Sequence, residues 1–206
     1  MIPVVNPISE PAGFDRNCRK KSWDWLRKNE TAPSRKFPGY WREFQPDLAT
    51  GFAYRCGWSG MHIGIDGAVD HFHSRSGLRG RELAYEWSNY RFISTTINSS
   101  KQALEAELLD PIEVQNGWFE VRLPSFQLIR TNKVPASLRA KADFTIERLK
   151  LINGSKFIAN RRYWYQQHRR EGLRLDRLRE YAPLVAAAIE RWTASGRVLP
   201  DCSSAS

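Results

Sequence analysis

The sequence lacks any run of about 18 apolar residues, the minimum length at which a helix can cross a bilayer. This absence excludes a transmembrane anchor made of a single helix. The segment from Met1 to Phe14 has no basic stretch followed by an apolar one, so no secretory signal is expected. Internal repeats and low-complexity tracts are absent as well.

Cysteine is scarce: the chain has three, Cys18, Cys56 and Cys202, and they lie far apart in the sequence. Three scattered cysteines exclude the disulfide framework of a small secreted protein. Together with the absence of a signal segment, this predicts a reducing, intracellular location, the cytoplasm.

Acidic residues are fewer than basic ones, with 22 Asp and Glu against 32 Lys and Arg, which gives a formal net charge of +10. Such an excess favours a polyanionic partner, because opposite charges attract and bound counterions are released on contact. An anionic membrane surface would also attract a basic protein, but the lack of long apolar segments argues against a membrane partner. Hydrophobic residues make up 41% of the chain, including eight Trp, so most of it is expected to fold around a core.

The order of predicted elements divides the 206 residues into three parts. We expect an irregular and helical N-terminal extension (1–50), a chemical core (51–125) and a C-terminal helical extension (126–206). Alternation and helical spacing of apolar residues predict the individual elements. These are a helix over 19–26, a hairpin over 61–65 and 68–72, strands over 90–94 and 118–123, and helices over 95–109, 135–151, 155–171 and 174–194.

The residues with the clearest chemical meaning are Asp70 and His71 at a strand end, Asn89 before the next strand, and Asn98 in the helix that follows. A carboxylate and an amide oxygen suit a hard cation such as Mg²⁺, so Asp70 and Asn98 are candidate metal ligands. The near-neutral pKa of histidine suits His71 to take a proton from water. We expect Asn89 to hydrogen-bond backbone across the loop and hold His71 in the required tautomer. Lys101 is a candidate phosphate contact.

Strand, loop, strand and helix carrying these residues resemble the ββα-metal core of HNH nucleases. The runs Asp70-His71-Phe72, Leu83 to Arg91, Leu109-Asp110-Pro111 and Gly117-Trp118-Phe119 are similar to a bacterial branch in anti-phage defence systems of the Septu and retron type. The resemblance implies an α+β fold, with a small ββα-metal core embedded in a mostly helical chain. It further implies a metal-dependent endonuclease that cleaves double-stranded DNA, with Mg²⁺ or else Mn²⁺ as cofactor, beside an ATPase partner.

The sequence departs from the family at several positions. Many HNH proteins carry two Cys-x-x-Cys pairs for a structural zinc, but Cys56-Gly57-Trp58-Ser59 keeps one cysteine, so no structural zinc is expected. His73, Ser74 and Gln102 also differ from the usual residues. These differences leave open an inactive HNH-like module that only binds nucleic acid. A toxin-like nuclease subunit masked by a partner protein is a further alternative.

Basic residues near the predicted site are candidates for DNA contact. Arg75, Arg79 and Arg81 lie in the loop after Asp70, and Arg161 and Arg162 begin a basic, aromatic stretch in the C-terminal part. Arginine binds phosphates through several N–H donors. The same C-terminal stretch also fits a solvated basic helix face whose aromatic residues pack inward. Taken singly, Asp70, His71, Asn89 and Asn98 are common structural residues, and only their joint order favours a nuclease.

Overall fold

The computed structural model describes residues 1–4, 8–77, 79–101, 104 and 107–202, and Gln102 lies outside them. Within these ranges the fold is α+β, because two separate antiparallel strand pairs occur among helices. The strands are β1 (Ala68–His71), β2 (Tyr90–Ile93), β3 (Phe119–Val121) and β4 (Leu128–Arg130). The α-helices are α1 (Lys21–Lys28), α2 (Gln45–Gly51), α3 (Gly80–Leu83), α4 (Thr95–Lys101), α5 (Ala136–Arg148), α6 (Ser155–Arg169), α7 (Leu175–Tyr181) and α8 (Pro183–Ala194). A π-helical segment, Asp15–Lys20, precedes α1.

The chain forms two compact units, which we name after their sheets. The β1–β2 unit consists of Val4–Gly57 and Ile63–Ala106, and the β3–β4 unit consists of Met1–Pro3, Trp58–His62 and Glu107–Ser206. These bounds differ from the three predicted parts. Most of residues 1–50 fold with β1 and β2, and β3 folds with the C-terminal helices rather than with the predicted core.

An aromatic cluster explains why the N-terminal part belongs to the β1–β2 unit. The ring of Phe14 lies 5.1 Å from that of Phe44, 5.2 Å from Trp87 and 5.9 Å from Tyr90, in edge-to-face contacts. All four rings are buried. Burying aromatic side chains is a large favourable term in folding, so these contacts fix the N-terminal segment to β2.

Strands β1 and β2 pair antiparallel, with Asp70 opposite Arg91 and His71 opposite Tyr90. Gly67, just before β1, is required by close packing, because a Cβ there would lie 2.3 Å from the ring of the buried Phe92. Helix α4 follows β2 almost directly. The Ser94 hydroxyl accepts a hydrogen bond from the Ile97 N–H, a typical N-terminal cap. A strand pair and a short helix are therefore joined with little intervening chain.

The β3–β4 unit has its own sheet and helices. β3 pairs antiparallel with β4, with Glu120 opposite Ile129, and α8 packs against β3. The helix predicted over 174–194 is two helices, because α7 ends at Tyr181 and α8 begins at Pro183. Proline cannot continue a helix from the preceding turn, but it is favoured in the first turn of a new one.

Two further predictions of secondary structure are wrong. Residues 61–65 form no strand: the His62 N–H donates to the Tyr181 carbonyl, and the Ile63 N–H donates to the Tyr54 carbonyl. The partner of β1 is β2 instead. The helix predicted over 95–109 ends at Lys101 within the described residues.

In the described part of the chain, no helix combines the length and apolar character needed to cross a membrane.

Candidate functional site

Asp70, His71 and Asn98 lie together at the end of β1. They line a cavity of ≈ 440 Å³ within the β1–β2 unit. Nine residues from four segments form its wall. They are Val69, Asp70 and His71 of β1, Ser74, Arg75 and Ser76 of the loop that follows β1, Asn98 of α4, and Ser34 and Arg35 of an N-terminal turn. The structure thus brings the two candidate metal ligands and the candidate base to one place.

The imidazole of His71 is oriented by a backbone carbonyl. Its Nε2 lies 2.9 Å from the Ala84 oxygen, which also accepts the Tyr90 hydroxyl at 2.9 Å. Because a carbonyl can only accept, Nε2 carries the hydrogen and Nδ1 of the neutral ring carries the lone pair. The rings of Trp41 and Tyr90 lie 4.7 and 5.0 Å from the imidazole and restrict its rotation. His71 therefore has one defined tautomer with one basic nitrogen.

His71 is neutral over the whole neutral pH range. Burial lowers the pKa of His71 to about 3, and the positive charges of Arg75 and Lys101 act in the same direction. The hydrogen bond to Ala84 partly opposes this shift. An anion entering the cavity would offset the nearby cations and raise this pKa, because an opposite charge stabilises the protonated ring.

Asn89 fastens the loop after β1 to the turn before β2. Its Oδ1 accepts the His73 N–H at 2.7 Å, and its Nδ2 donates to the carbonyls of His73 and Leu83 at 3.1 and 3.0 Å. The predicted backbone contacts across the loop are thus present. The tautomer of His71 is set by Ala84, next to Leu83, and not by Asn89 itself. Asn89 accordingly acts on His71 only through the backbone that it holds.

The prediction that Lys101 contacts phosphate is wrong, because its ammonium group is buried. Its Nζ donates to Asp70 Oδ2 at 2.8 Å, and to the carbonyls of His71 and Phe72 at 2.7 and 2.8 Å. The residue is 1% exposed. An ammonium group has three donors, and three protein oxygens accept them. Lys101 therefore connects the end of α4 to the end of β1 and holds the Asp70 carboxylate.

Asn98 differs from Asp70 in exposure. Its side chain is exposed, and the residue stands on the first turns of α4, where its N–H donates to the Ser94 carbonyl. Asp70, by contrast, is 7% exposed. One buried carboxylate and one exposed amide on the same cavity give an oxygen-rich wall that suits a hard cation. Among the described residues, no three His, Cys, Asp or Glu side chains group as a metal site.

The predicted DNA-binding arginines of the loop have different surroundings. Arg75 lines the cavity, is half-buried over the Trp41 ring at 4.9 Å and donates to the Ser34 carbonyl at 3.4 Å. Arg79 is exposed and forms an ion pair with Glu82. Arg81 donates to the carbonyls of Leu26, Asn29 and Ala32. The guanidinium of Arg81 thus stabilises the end of α1 and the segment that follows it. The sequence pattern did not indicate this structural role.

Arg161 and Arg162 lie in the β3–β4 unit and also differ from one another. Arg161 is 1% exposed and donates to the carbonyls of Phe126, Leu151 and Ile152. A guanidinium enclosed in this way offers nothing to a phosphate at the surface. Arg162 is half-buried, with its guanidinium 5.8 Å above the Phe126 ring. The interpretation of Arg161 as a DNA contact is therefore replaced by a structural one.

Five cavity residues were not predicted as site residues: Val69, Ser34, Arg35, Ser74 and Ser76. Val69 directly precedes Asp70 in β1. Ser74 and Ser76 lie in the loop that the prediction already assigned to the site, so their presence follows from loop position. Ser34 and Arg35 come from a turn far away in sequence, and no local pattern connects them to His71.

In the comparisons with known proteins, no family model, curated protein or solved structure matches this chain.

Proposed function

We propose that this chain is a metal-dependent endonuclease of the HNH type that hydrolyses phosphodiester bonds in double-stranded DNA. The observation that supports it most is the meeting of Asp70, His71 and Asn98 in one cavity at the end of a strand pair followed by a helix. In this proposal, β1, β2 and α4 correspond to the ββα-metal core. The net charge of +10 fits a polyanionic substrate.

His71 is the general base of the proposed reaction. Since its Nε2–H is held by Ala84, the Nδ1 lone pair is the position that accepts a proton from the attacking water. Its neutral state leaves that lone pair available. The enclosing rings of Trp41 and Tyr90 keep the imidazole in place, which favours proton transfer over a short distance.

Asp70 and Asn98 would hold a divalent cation, Mg²⁺ or Mn²⁺. The donor set fits, because both side chains offer oxygen, and two protein ligands leave positions for water and for substrate. When bound, the ion would supply Lewis-acid stabilisation of the phosphate and of the leaving oxygen. Lys101 holds the Asp70 carboxylate through Oδ2 and so restricts its rotation.

The experiment is incubation of supercoiled plasmid with the protein in Mg²⁺, in Mn²⁺ and in EDTA. The proposal predicts nicking with either ion and none in EDTA. Asn98→Ala should require more metal for the same rate, whereas Asp66→Asn, an exposed acid outside the cavity, should behave like the wild type. Binding of DNA with no cleavage under any of these conditions would favour the inactive binding module instead.

The biological setting that we propose is anti-phage defence beside an ATPase partner, which rests on the motif resemblance around Asp70 and Asn89. Co-expression with the neighbouring genes in a phage-sensitive bacterium tests it. Fewer plaques with the wild-type chain than with His71→Ala would support the setting. Equal plaque numbers for both would contradict it and would leave cleavage in vitro unaffected.

A further inference from the structure

The turn that carries Ser34 and Arg35 is tied to the β1–β2 unit at both ends. On one side, Arg81 donates to the Ala32 carbonyl and Arg75 donates to the Ser34 carbonyl. On the other, Phe37 is buried, with its ring 6.2 Å from that of Tyr85. These contacts hold a short 3₁₀ turn, Ser34–Lys36, at the wall of the cavity.

Arg35 differs from the other cations near His71. Arg75 is engaged by Trp41 and Ser34, and Lys101 donates to three buried oxygens. The Arg35 side chain is exposed and lines the cavity, and within the described ranges no carboxylate lies within ion-pair distance of it. A guanidinium carries five N–H donors, and it can bind a phosphate through two parallel hydrogen bonds.

The adjoining cavity has a different charge. It shares Ser34, Arg75 and Ser76 with the first cavity, but its wall has two carboxylates, Glu30 and Glu82, beside the cations of Arg75 and Arg81. The first cavity has two cations, Arg35 and Arg75, beside one carboxylate, Asp70, which forms an ion pair with Lys101. Carboxylates repel phosphates, so a nucleic-acid backbone is favoured on the Arg35 side of the shared wall. This difference favours an anion beside Asp70 and His71 over one further along the turn.

We propose that Arg35 binds a backbone phosphate of the nucleic acid, next to the bond that is cleaved. The inference rests on the proposed function, because it names a substrate contact of the same cavity. The Ser34–Lys36 turn, which lies outside the strand–strand–helix element, thereby becomes part of the binding surface. The phosphate is recognised by charge and by the planar pair of donors, so the contact is independent of base sequence.

The test is binding of a short fluorescent DNA duplex in EDTA, followed by anisotropy from roughly 50 to 200 mM salt. The variants are Arg35→Ala, Arg35→Lys and Lys36→Ala. Lys36 is an exposed cation on the same turn that does not belong to the cavity wall, so it controls for the loss of one positive charge. Circular dichroism melting of each variant confirms that the fold is intact.

Arg35→Ala should weaken binding several-fold more than Lys36→Ala. It should also reduce the slope of log K against log salt by about 0.9, the value for one phosphate contact in duplex DNA. Arg35→Lys should restore part of the affinity, because the charge returns without the planar donor pair. Equal affinities for Arg35→Ala and Lys36→Ala would overturn the inference, as would a wild-type protein that does not bind the duplex.

Failure of this inference is distinct from failure of the proposed function. Binding in EDTA involves no cleavage, so an effect of Arg35→Ala in a protein that never nicks DNA would support the phosphate contact and contradict the nuclease. Metal-dependent nicking with equal binding by Arg35→Ala and Lys36→Ala would support the nuclease and overturn the phosphate contact.

Discussion

The Lys101 ammonium donates to the Asp70 carboxylate at 2.8 Å, and both side chains are buried, at 2% and 8% exposure. A buried charge that loses its partner is costly, because neither water nor a hydrogen bond compensates for it. Lys101 also satisfies the carbonyls of His71 and Phe72. This single side chain therefore determines how the end of β1 is held against α4.

Replacement of Lys101 by methionine should destabilise the protein strongly. The variant removes the Lys101 donor from the Asp70 carboxylate and from two carbonyls, so we expect the free energy of unfolding to fall by about 3–5 kcal/mol. Urea unfolding measures the difference. The matched control is Arg79→Ala, which removes an exposed ion pair with Glu82 and should cost at most ~1 kcal/mol. Similar losses for the two variants would contradict the structural role of Lys101.

The stability of the metal-free protein should depend on pH through His71. The pKa is about 3 in the folded protein and 6.5 in the unfolded chain. Between these values the unfolded chain binds a proton that the folded protein does not. The free energy of unfolding therefore decreases as the pH falls below 6.5, by up to ~1.4 kcal/mol per pH unit, and the His71 contribution is complete above 6.5.

Urea unfolding in EDTA, at pH values on both sides of 6.5, tests this dependence by comparing the wild type with His71→Asn. The variant lacks the titrating ring, so its stability should fall less steeply under acidic conditions. The difference between the two curves isolates His71 from the other titrating groups. Parallel curves would show that His71 is not buried as a neutral ring.

Arg161 should affect stability rather than DNA binding. Burial lowers its pKa to about 10, and its guanidinium donates to three carbonyls in the β3–β4 unit. Arg161→Leu removes the Arg161 donor from the Phe126 and Leu151 carbonyls, at ~1–3 kcal/mol for each buried group left unsatisfied, whereas the Ile152 carbonyl still accepts the Leu128 N–H. Arg162→Leu is the adjacent control, and it should cost less. Thermal melting and duplex binding of both variants separate the two effects, and weaker binding by Arg161→Leu without a lower melting temperature would refute this assignment.

The three thiols should react at different rates in the native protein. Burial raises the pKa of Cys18 to about 11 and also raises the pKa of Cys202, but Cys18 and Cys56 are 0% exposed, whereas Cys202 is partly exposed. The thiolate is the reactive form, so a maleimide should label Cys202 first. Native Cys202→Ser should then label slowly until urea is added. Rapid labelling of that variant would mean that the core around Cys18 and Cys56 is open.

The grouping of the site residues could be predicted from the sequence further than the packing of the fold could. Asp70 and His71 are adjacent, and a loop, β2 and the start of α4 separate them from Asn98. The patterns of these elements are local, so the meeting of the three residues follows from short-range sequence. β4 was missed, because Leu128–Arg130 is short and its pairing with β3 shows only in three dimensions. Pro183 indicates a helix break in the sequence, but the prediction of one helix over 174–194 did not take it into account.

The roles of the basic residues depend on their three-dimensional surroundings. Lys101, Arg81 and Arg161 have the same side-chain types as surface phosphate contacts, yet each donates to buried oxygens. Nothing in the local sequence distinguishes them from the exposed Arg35 or Arg79. The direction in which a long cationic side chain points depends on which carbonyls lie nearby, and these come from distant segments.

The most direct test of the proposed nuclease is the rate of plasmid nicking by His71→Ala compared with His73→Ala. His73 follows in the same loop and does not belong to the cavity wall, and its backbone contacts with Asn89 are kept in the variant. Loss of a general base reduces rates by roughly 10²–10⁴-fold. We predict a loss of this size for His71→Ala, with duplex binding unchanged and with His73→Ala close to the wild type. Nicking by His71→Ala at the wild-type rate would contradict the account.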